Sequence, residues 1–196
     1  MTARDDILSR IRARRLKSAP RPQSYTPPKP SADLAAQFAE RATRLFAEVR
    51  VLDGESEIPS AVAELLRAHN LPAVVHLPGA EDFHLAKAGL SVEATPPGPD
   101  DTALARAPLA IAETGTLVYP AAADRPASWH FRPGFEISVL RARDIVPHLE
   151  TALSRIGVLP HTINLVSGPS RTADIEQTLE LGAHGPKALA ILIIRE

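Results

Sequence analysis

Ala-Leu-Ala-Ile-Leu-Ile-Ile, residues 188–194, reads as a nearly continuous apolar strand. Working back from it, Ile163–Val166 is a second strand, running into Ser167-Gly168-Pro169-Ser170. Asp144–Ile156 carries the spacing of an amphipathic helix. Glu136–Leu140 alternates polar and apolar, which predicts a strand with one exposed face. Leu109–Ala112 and Thr116–Tyr119 are close apolar runs split by Glu113-Thr114-Gly115. Further upstream, Thr95–Asp101 (TPPGPDD) predicts a loop, Leu90–Glu93 a short strand and Glu81–Lys87 a short helix. Pro72–Leu77 predicts a buried strand, and Pro59–His69 a helix with Val62, Leu65 and Leu66 on one face. Val51 and Leu52 suggest a short strand, and Asp33–Val49 a helix with Leu34, Phe38, Leu45 and Phe46 on its apolar side. Strands alternating with helices predict a layered α/β/α domain whose mixed sheet is largely parallel, with helices on both faces.

The first thirty residues differ from this pattern. Residues 3–17 predict a helix with Asp5 and Asp6 in its first turn and Arg or Lys toward its end, an order that complements the helix dipole. Residues 19–30 hold five prolines and predict an extended connector. The division is therefore a basic helix and proline-rich connector over 1–30, then one domain over 31–196. Residues 1–30 carry eight Lys or Arg against two Asp or Glu, whereas the remainder is net acidic.

The whole chain of 196 residues has a formal charge of −1 and eight aromatic residues. It lacks both the basic excess and the stacking platforms that nucleic acid requires. There is no cysteine, which removes disulfides, cysteine-ligated iron–sulfur clusters and thiol nucleophiles from this chain. The seven histidines show no metal-ligand spacing, and neither GxGxxG nor a P-loop occurs. No apolar run reaches the roughly 18–20 residues of a membrane helix, and no secretory leader pattern opens the chain. The expectation is a soluble cytoplasmic protein.

Three segments could carry chemistry. Glu113-Thr114-Gly115-Thr116 places a carboxylate beside a glycine at a strand tip, a position where open α/β sheets bind ligands; the plainer reading is a β-turn with a solvated Glu. Ser167-Gly168-Pro169-Ser170-Arg171-Thr172-Ala173-Asp174 follows a strand and predicts a helical turn. Free N–H groups there, with Ser170, Arg171 and Thr172, suit a carboxylate or phosphate. A simple N-cap by Ser170 or Thr172, with Asp174 favoured by the dipole, fits the same residues. His184-Gly185-Pro186 precedes the last strand; His184 could act as acid or base with Asp174 orienting it, or be a surface turn histidine.

IAETGTLV (111–118), SGPSRTADIE (167–176) and GAHGP (182–186), in that order, resemble the LUD (lactate-utilisation) domain family. The resemblance is firm over about residues 108–195; over 30–107 only element order agrees. It implies a fold like the NagB/RpiA/CoA-transferase group and a non-redox subunit role in iron–sulfur-dependent oxidation of L-lactate to pyruvate. The clusters would sit in iron–sulfur partner proteins, and this chain would carry no cofactor of its own. The ligand, a small carboxylate or phosphorylated molecule, would meet Glu113, Thr114, Gly115, Thr116, Gly168, Pro169, Ser170, Arg171, Thr172, His184 and Gly185. Glu113, His184 and Asp174 are the candidate catalytic groups, although the family implies no agreed catalytic residue. Two other functions fit the residues. One is a stand-alone CoA-transferase- or isomerase-like enzyme with Glu113 as nucleophile, by fold analogy. The other is a metabolite-sensing module. One stretch departs from the family pattern: where the family has a Leu-Pro before a His, this chain has Trp129-His130-Phe131-Arg132-Pro133-Gly134-Phe135, and the family His falls at Phe135.

Overall fold

The structure is a computed structural model and describes residues 2–14, 25–79, 82–173, 179–181 and 185–195. Helix α1 (Ala3–Arg14) has no buried residue. Helix α2 (Leu34–Arg44) follows, then β1 (Glu48–Leu52), α3 (Ile58–Ala68), β2 (Val74–His76) and β3 (Ser91–Glu93). Strand β4 (Thr102–Arg106) leads to the hairpin of β5 (Leu109–Ile111) and β6 (Thr116–Pro120). Next come β7 (Phe135–Arg141), β8 (Ile145–Val146), α4 (Leu149–Ile156) and β9 (Ile163–Val166). The chain closes with β10 (Arg171–Ala173), β11 (Leu179–Leu181) and β12 (Ala188–Ile194).

Six strands form the main sheet in the order β1-β12-β7-β4-β2-β3, and every pairing is parallel. Alternation along β7 and β12 builds its two faces. Phe135, Ile137, Val139, Ala190, Leu192 and Ile194 join Val62, Leu65 and Leu66 of α3 in one core. Leu140, Leu189, Ile191 and Ile193 point the other way and join Phe38 and Ala42 of α2 with Leu117 and Tyr119 of β6. The predicted layered α/β architecture with a largely parallel sheet is therefore present. An additional layer lies beyond it: a four-stranded mixed sheet, β8-β5-β6-β9, whose outer face packs on α4 through Ala152. Among the described residues no helix is long and apolar enough to cross a membrane.

Several expected elements change. Helix α2 begins where predicted, with the Asp33 carboxylate accepting from the Ala36 amide at 2.8 Å. It ends at Arg44 rather than Val49, because Phe46 turns left-handed (φ 68°) and residues 48–49 are taken into the sheet ladder beside Ala190 and Ile191. The helix expected over 144–156 is split. Pro147 favours extended backbone at Val146, so Ile145–Val146 pairs with β5 and only Leu149–Ile156 is helical. Strand β4, Ala-rich and without a clear strand pattern, was not predicted; it lies in the middle of the sheet. Strand β7 has no exposed face. It lies between β12 and β4, and both Glu136 and Ser138 are fully buried. Finally, Arg171–Ala173 is not a helical turn but a strand, antiparallel to Leu179–Leu181.

Candidate functional site

Gly115 and Gly168 have positive φ (67° and 80°), and both press against the C-terminal end of α2. A Cβ on Gly115 would stand 2.6 Å from the Ala42 amide nitrogen, and one on Gly168 would run into the Leu45 carbonyl oxygen. Only glycine accepts that backbone shape with that approach. The two turns are also joined directly. Thr114 and Thr116 hydroxyls lie 2.6 Å apart, and Thr116 Oγ1 is 2.8 Å from Ser167 Oγ. The hairpin therefore buttresses the Ser167–Ser170 turn.

That turn lines a cleft of about 320 Å³ together with His130, Phe131, Leu165, Val166, Gly185 and Pro186. The size is at the small end of the range for small-molecule sites. The Ser170 amide donates to the Pro186 carbonyl at 2.8 Å, and a Cβ on Gly185 would lie 3.3 Å from Ser170 Cβ. Gly168, Pro169, Ser170 and Gly185 are thus brought to one place, as their order in the chain alone could not show.

Two other sequence candidates, Glu113 and Arg171, do not line the cleft. The Glu113 carboxylate, 36% exposed, is held by His148 Nδ1 at 3.0 Å and is not part of the cleft lining. The opposite nitrogen of His148 donates to the Pro28 carbonyl at 2.9 Å, which ties the end of the connector down beside Glu113. Arg171 lies outside the lining, with its guanidinium carbon 3.4 Å from the centroid of the exposed Phe46 ring. Thr172 pairs through its backbone with Glu180. Asp174 and His184 lie outside the described residues.

Behind the cleft is a polar cluster that sequence reasoning missed. His130, at the end of a 3-10 turn over Ala127–His130, is buried and places Nδ1 2.8 Å from Glu136 Oε1. Glu136 is 0% exposed, and its second oxygen is the buried side-chain polar atom without a partner among the described residues. Ser138 Oγ lies 3.4 Å from Glu136 Oε1 and 2.7 Å from Tyr119 OH. The Tyr119 ring stacks on His130 at 3.8 Å between centroids. Burial, and then the negative charge of Glu136, push the Tyr119 hydroxyl well above the usual tyrosine range. A neutral Tyr119 therefore donates to Ser138, and Ser138 donates to Glu136. Burying an ionisable group costs several kcal/mol unless it is paired and hydrogen-bonded, so clusters of this kind mark functional positions.

The cluster was hidden for two reasons. Phe-Glu-Ile-Ser-Val-Leu (135–140) alternates like a half-exposed strand, so Glu136 and Ser138 read as solvent-facing. The available signal was the carboxylate inside a strand flanked in space by Ala188–Ile194, which leaves no solvated face. His130 sits in the stretch that departs from the family pattern, five residues before the position where the family His would fall. The cleft also lies at the N-terminal ends of β7 and β12, not at the carboxyl ends where open parallel sheets usually bind ligands.

Part of the chain is similar to known proteins. Residues 100–194 match the LUD domain family. Lactate utilization protein C of Geobacillus kaustophilus is 32% identical over 95 residues, which is 45% of this chain and 40% of that protein. The protein of the same name from Bacillus licheniformis is 34% identical over 95 residues, with the same coverage. Uncharacterized protein YkgG of Escherichia coli is 33% identical over 93 residues, 44% of this chain and 40% of that one. The matched region thus spans about two-fifths of the length of these relatives. A solved structure described as a DUF162 family protein from Deinococcus radiodurans superposes with a TM-score of 0.63 at 24% identity, covering 86% of this chain and all of that one. That likeness establishes the fold. Residues 100–194, the stretch that matches the LUD domain family, contain the cleft and the whole Tyr119–Ser138–Glu136–His130 cluster.

Proposed function

We propose that this chain is a lactate-utilisation protein, a non-redox subunit of an iron–sulfur-dependent system that oxidises L-lactate to pyruvate. Its part is to bind a small anionic ligand in the cleft between Ser167–Ser170, His130 and Gly185. The observation that carries the reading is the coincidence of that cleft with the LUD region, whose relatives bear the name lactate utilization protein C. Two features support it. The chain has no cysteine, so clusters belong in cysteine-bearing partners. The cleft mixes hydroxyls (Ser167, Ser170) with apolar wall (Leu165, Val166, Pro169, Pro186), a lining suited to a small organic acid.

The test is genetic and biochemical. Deleting the gene in its host should abolish growth on L-lactate, leave growth on pyruvate intact, and be reversed by re-expression. The tagged chain from lactate-grown cells should co-purify with iron–sulfur proteins. Unimpaired growth of the deletion strain on L-lactate would reject the role.

A further inference from the structure

We propose that the His130 imidazole, with Glu136 behind it, is the proton-accepting anchor of the cleft, and that the cleft takes a small 2-hydroxy carboxylic acid by its hydroxyl. The assignment rests on the cleft being the ligand site of the proposed function, and it adds the residues that read the ligand.

The donor and acceptor directions carry the inference. An ionised carboxylate only accepts, so against ionised Glu136 the 2.8 Å contact is made by a proton on His130 Nδ1. In the neutral ring Nε2 is then a bare lone pair. Nε2 has no hydrogen-bond partner among the described residues, and His130 lines the cleft. Every other hydrogen bond in the cluster also points toward Glu136. Tyr119 donates to Ser138 and Ser138 to Glu136, with the Tyr119 hydroxyl kept neutral by burial. Glu136 Oε2 has no donor, so the carboxylate charge is left to act on the imidazole. A buried glutamate that only filled space would be replaced at no loss by an apolar side chain. Here it fixes one tautomer and stabilises positive charge that develops on the ring when a ligand proton is shared with Nε2. The arrangement is the carboxylate–histidine pair of general-base sites. Glu136 is the positioning residue, and His130 is the group that meets the ligand.

The ligand class follows from what the cleft can answer. Nε2 calls for an O–H donor. The Thr114, Thr116 and Ser167 hydroxyls form one hydrogen-bonded chain, and when Thr116 donates to Ser167 the Ser167 proton can go to a carboxylate oxygen. Leu165, Val166, Pro169 and Pro186 offer apolar contact for a short carbon chain. Only hydrogen bonds are formed: the ligand hydroxyl proton is shared with Nε2.

The experiment uses the full chain with 15N-labelled histidine and long-range 1H–15N spectra, which report the tautomer of each imidazole. The probes are L-lactate, pyruvate and propionate, the last having the same carbon chain without the hydroxyl. Neutral His130 should be the Nδ1–H tautomer. L-lactate should shift its Nε2 resonance saturably, and propionate should bind about tenfold or more weakly. Pyruvate, which has no hydroxyl, should behave like propionate. His130→Asn keeps an amide donor for Glu136 and removes Nε2; it should bind L-lactate no better than propionate. Glu136→Gln should mix the tautomers and weaken L-lactate about tenfold, with partial rescue by Glu136→Asp. If Glu136→Gln does not fold, the His130→Asn comparison still decides. An Nε2–H tautomer, equal binding of L-lactate and propionate, or no response to L-lactate would overturn the inference. Such a failure with a deletion strain that still cannot use L-lactate would leave the lactate-utilisation role standing.

Discussion

Tyr119 gives the buried cluster a measurable pH signature. The unfolded chain ionises this hydroxyl near the ordinary value of 10.0, and the folded chain holds on to the proton to higher pH, first through burial and then through the charge of Glu136. Above the ordinary value the native state binds more protons than the unfolded state, so stability falls as pH rises. The contribution is complete below about pH 10 and is lost above it. Urea unfolding of wild type and Tyr119→Phe should therefore differ less at about pH 11 than at about pH 8, where Tyr119→Phe should cost about 1 kcal/mol through the lost bond to Ser138. A second residue-level expectation concerns Gly168. Gly168→Ala puts a Cβ into the Leu45 carbonyl at positive φ and should lower stability by more than about 1 kcal/mol in thermal unfolding. At this scale the glycine and hydroxyl motifs were legible, because a turn needs particular residues at particular positions. Glu136 and His130 were not. What makes Glu136 unusual is burial from both sides, and what gives His130 a role is a strand that follows it in the chain and a tyrosine from another sheet.

Helix α2 shows how one element holds the site without touching a ligand. Its C-terminal end is the floor beneath both the Gly115 and the Gly168 turns, and its anchor is Phe38, fully buried against the main sheet. Phe38→Ala should cost about 3–5 kcal/mol. Amide exchange should then rise in the 113–116 and 167–170 turns more than in β12, which packs mostly on other neighbours. Periodicity found this helix, as it found α3, β9 and β12, because each has an apolar face of the right spacing. It overran the end of α2 because residues 48–49 are as compatible with helix as with strand until Ala190 and Ile191 lie beside them. It missed β4 because an alanine-rich strand has little local signature. It read β10 as a helix start because a Ser-Gly-Pro-Ser turn introduces either element. Parallel and antiparallel partners supply the missing information, and they are distant in sequence.

For the whole molecule, the layered architecture with a parallel sheet followed from alternation of strands and helices. The second sheet did not, since nothing local says that β5, β6, β8 and β9 pair with one another rather than join the six. That second sheet is what closes the site: β6 supplies Tyr119, and β9 delivers Ser167–Ser170 against the turn that carries His130. The motif-bearing hairpin at Glu113 supports this junction from the side, while its carboxylate is engaged by His148 next to the connector. On the proposed function, the ligand is held in the His130 cleft and not at Glu113. The most direct test is growth of the deletion strain on L-lactate when it expresses His130→Asn or Glu113→Ala at wild-type protein levels. Glu113→Ala should restore growth and His130→Asn should not. Growth with His130→Asn, and none with Glu113→Ala, would contradict that placement.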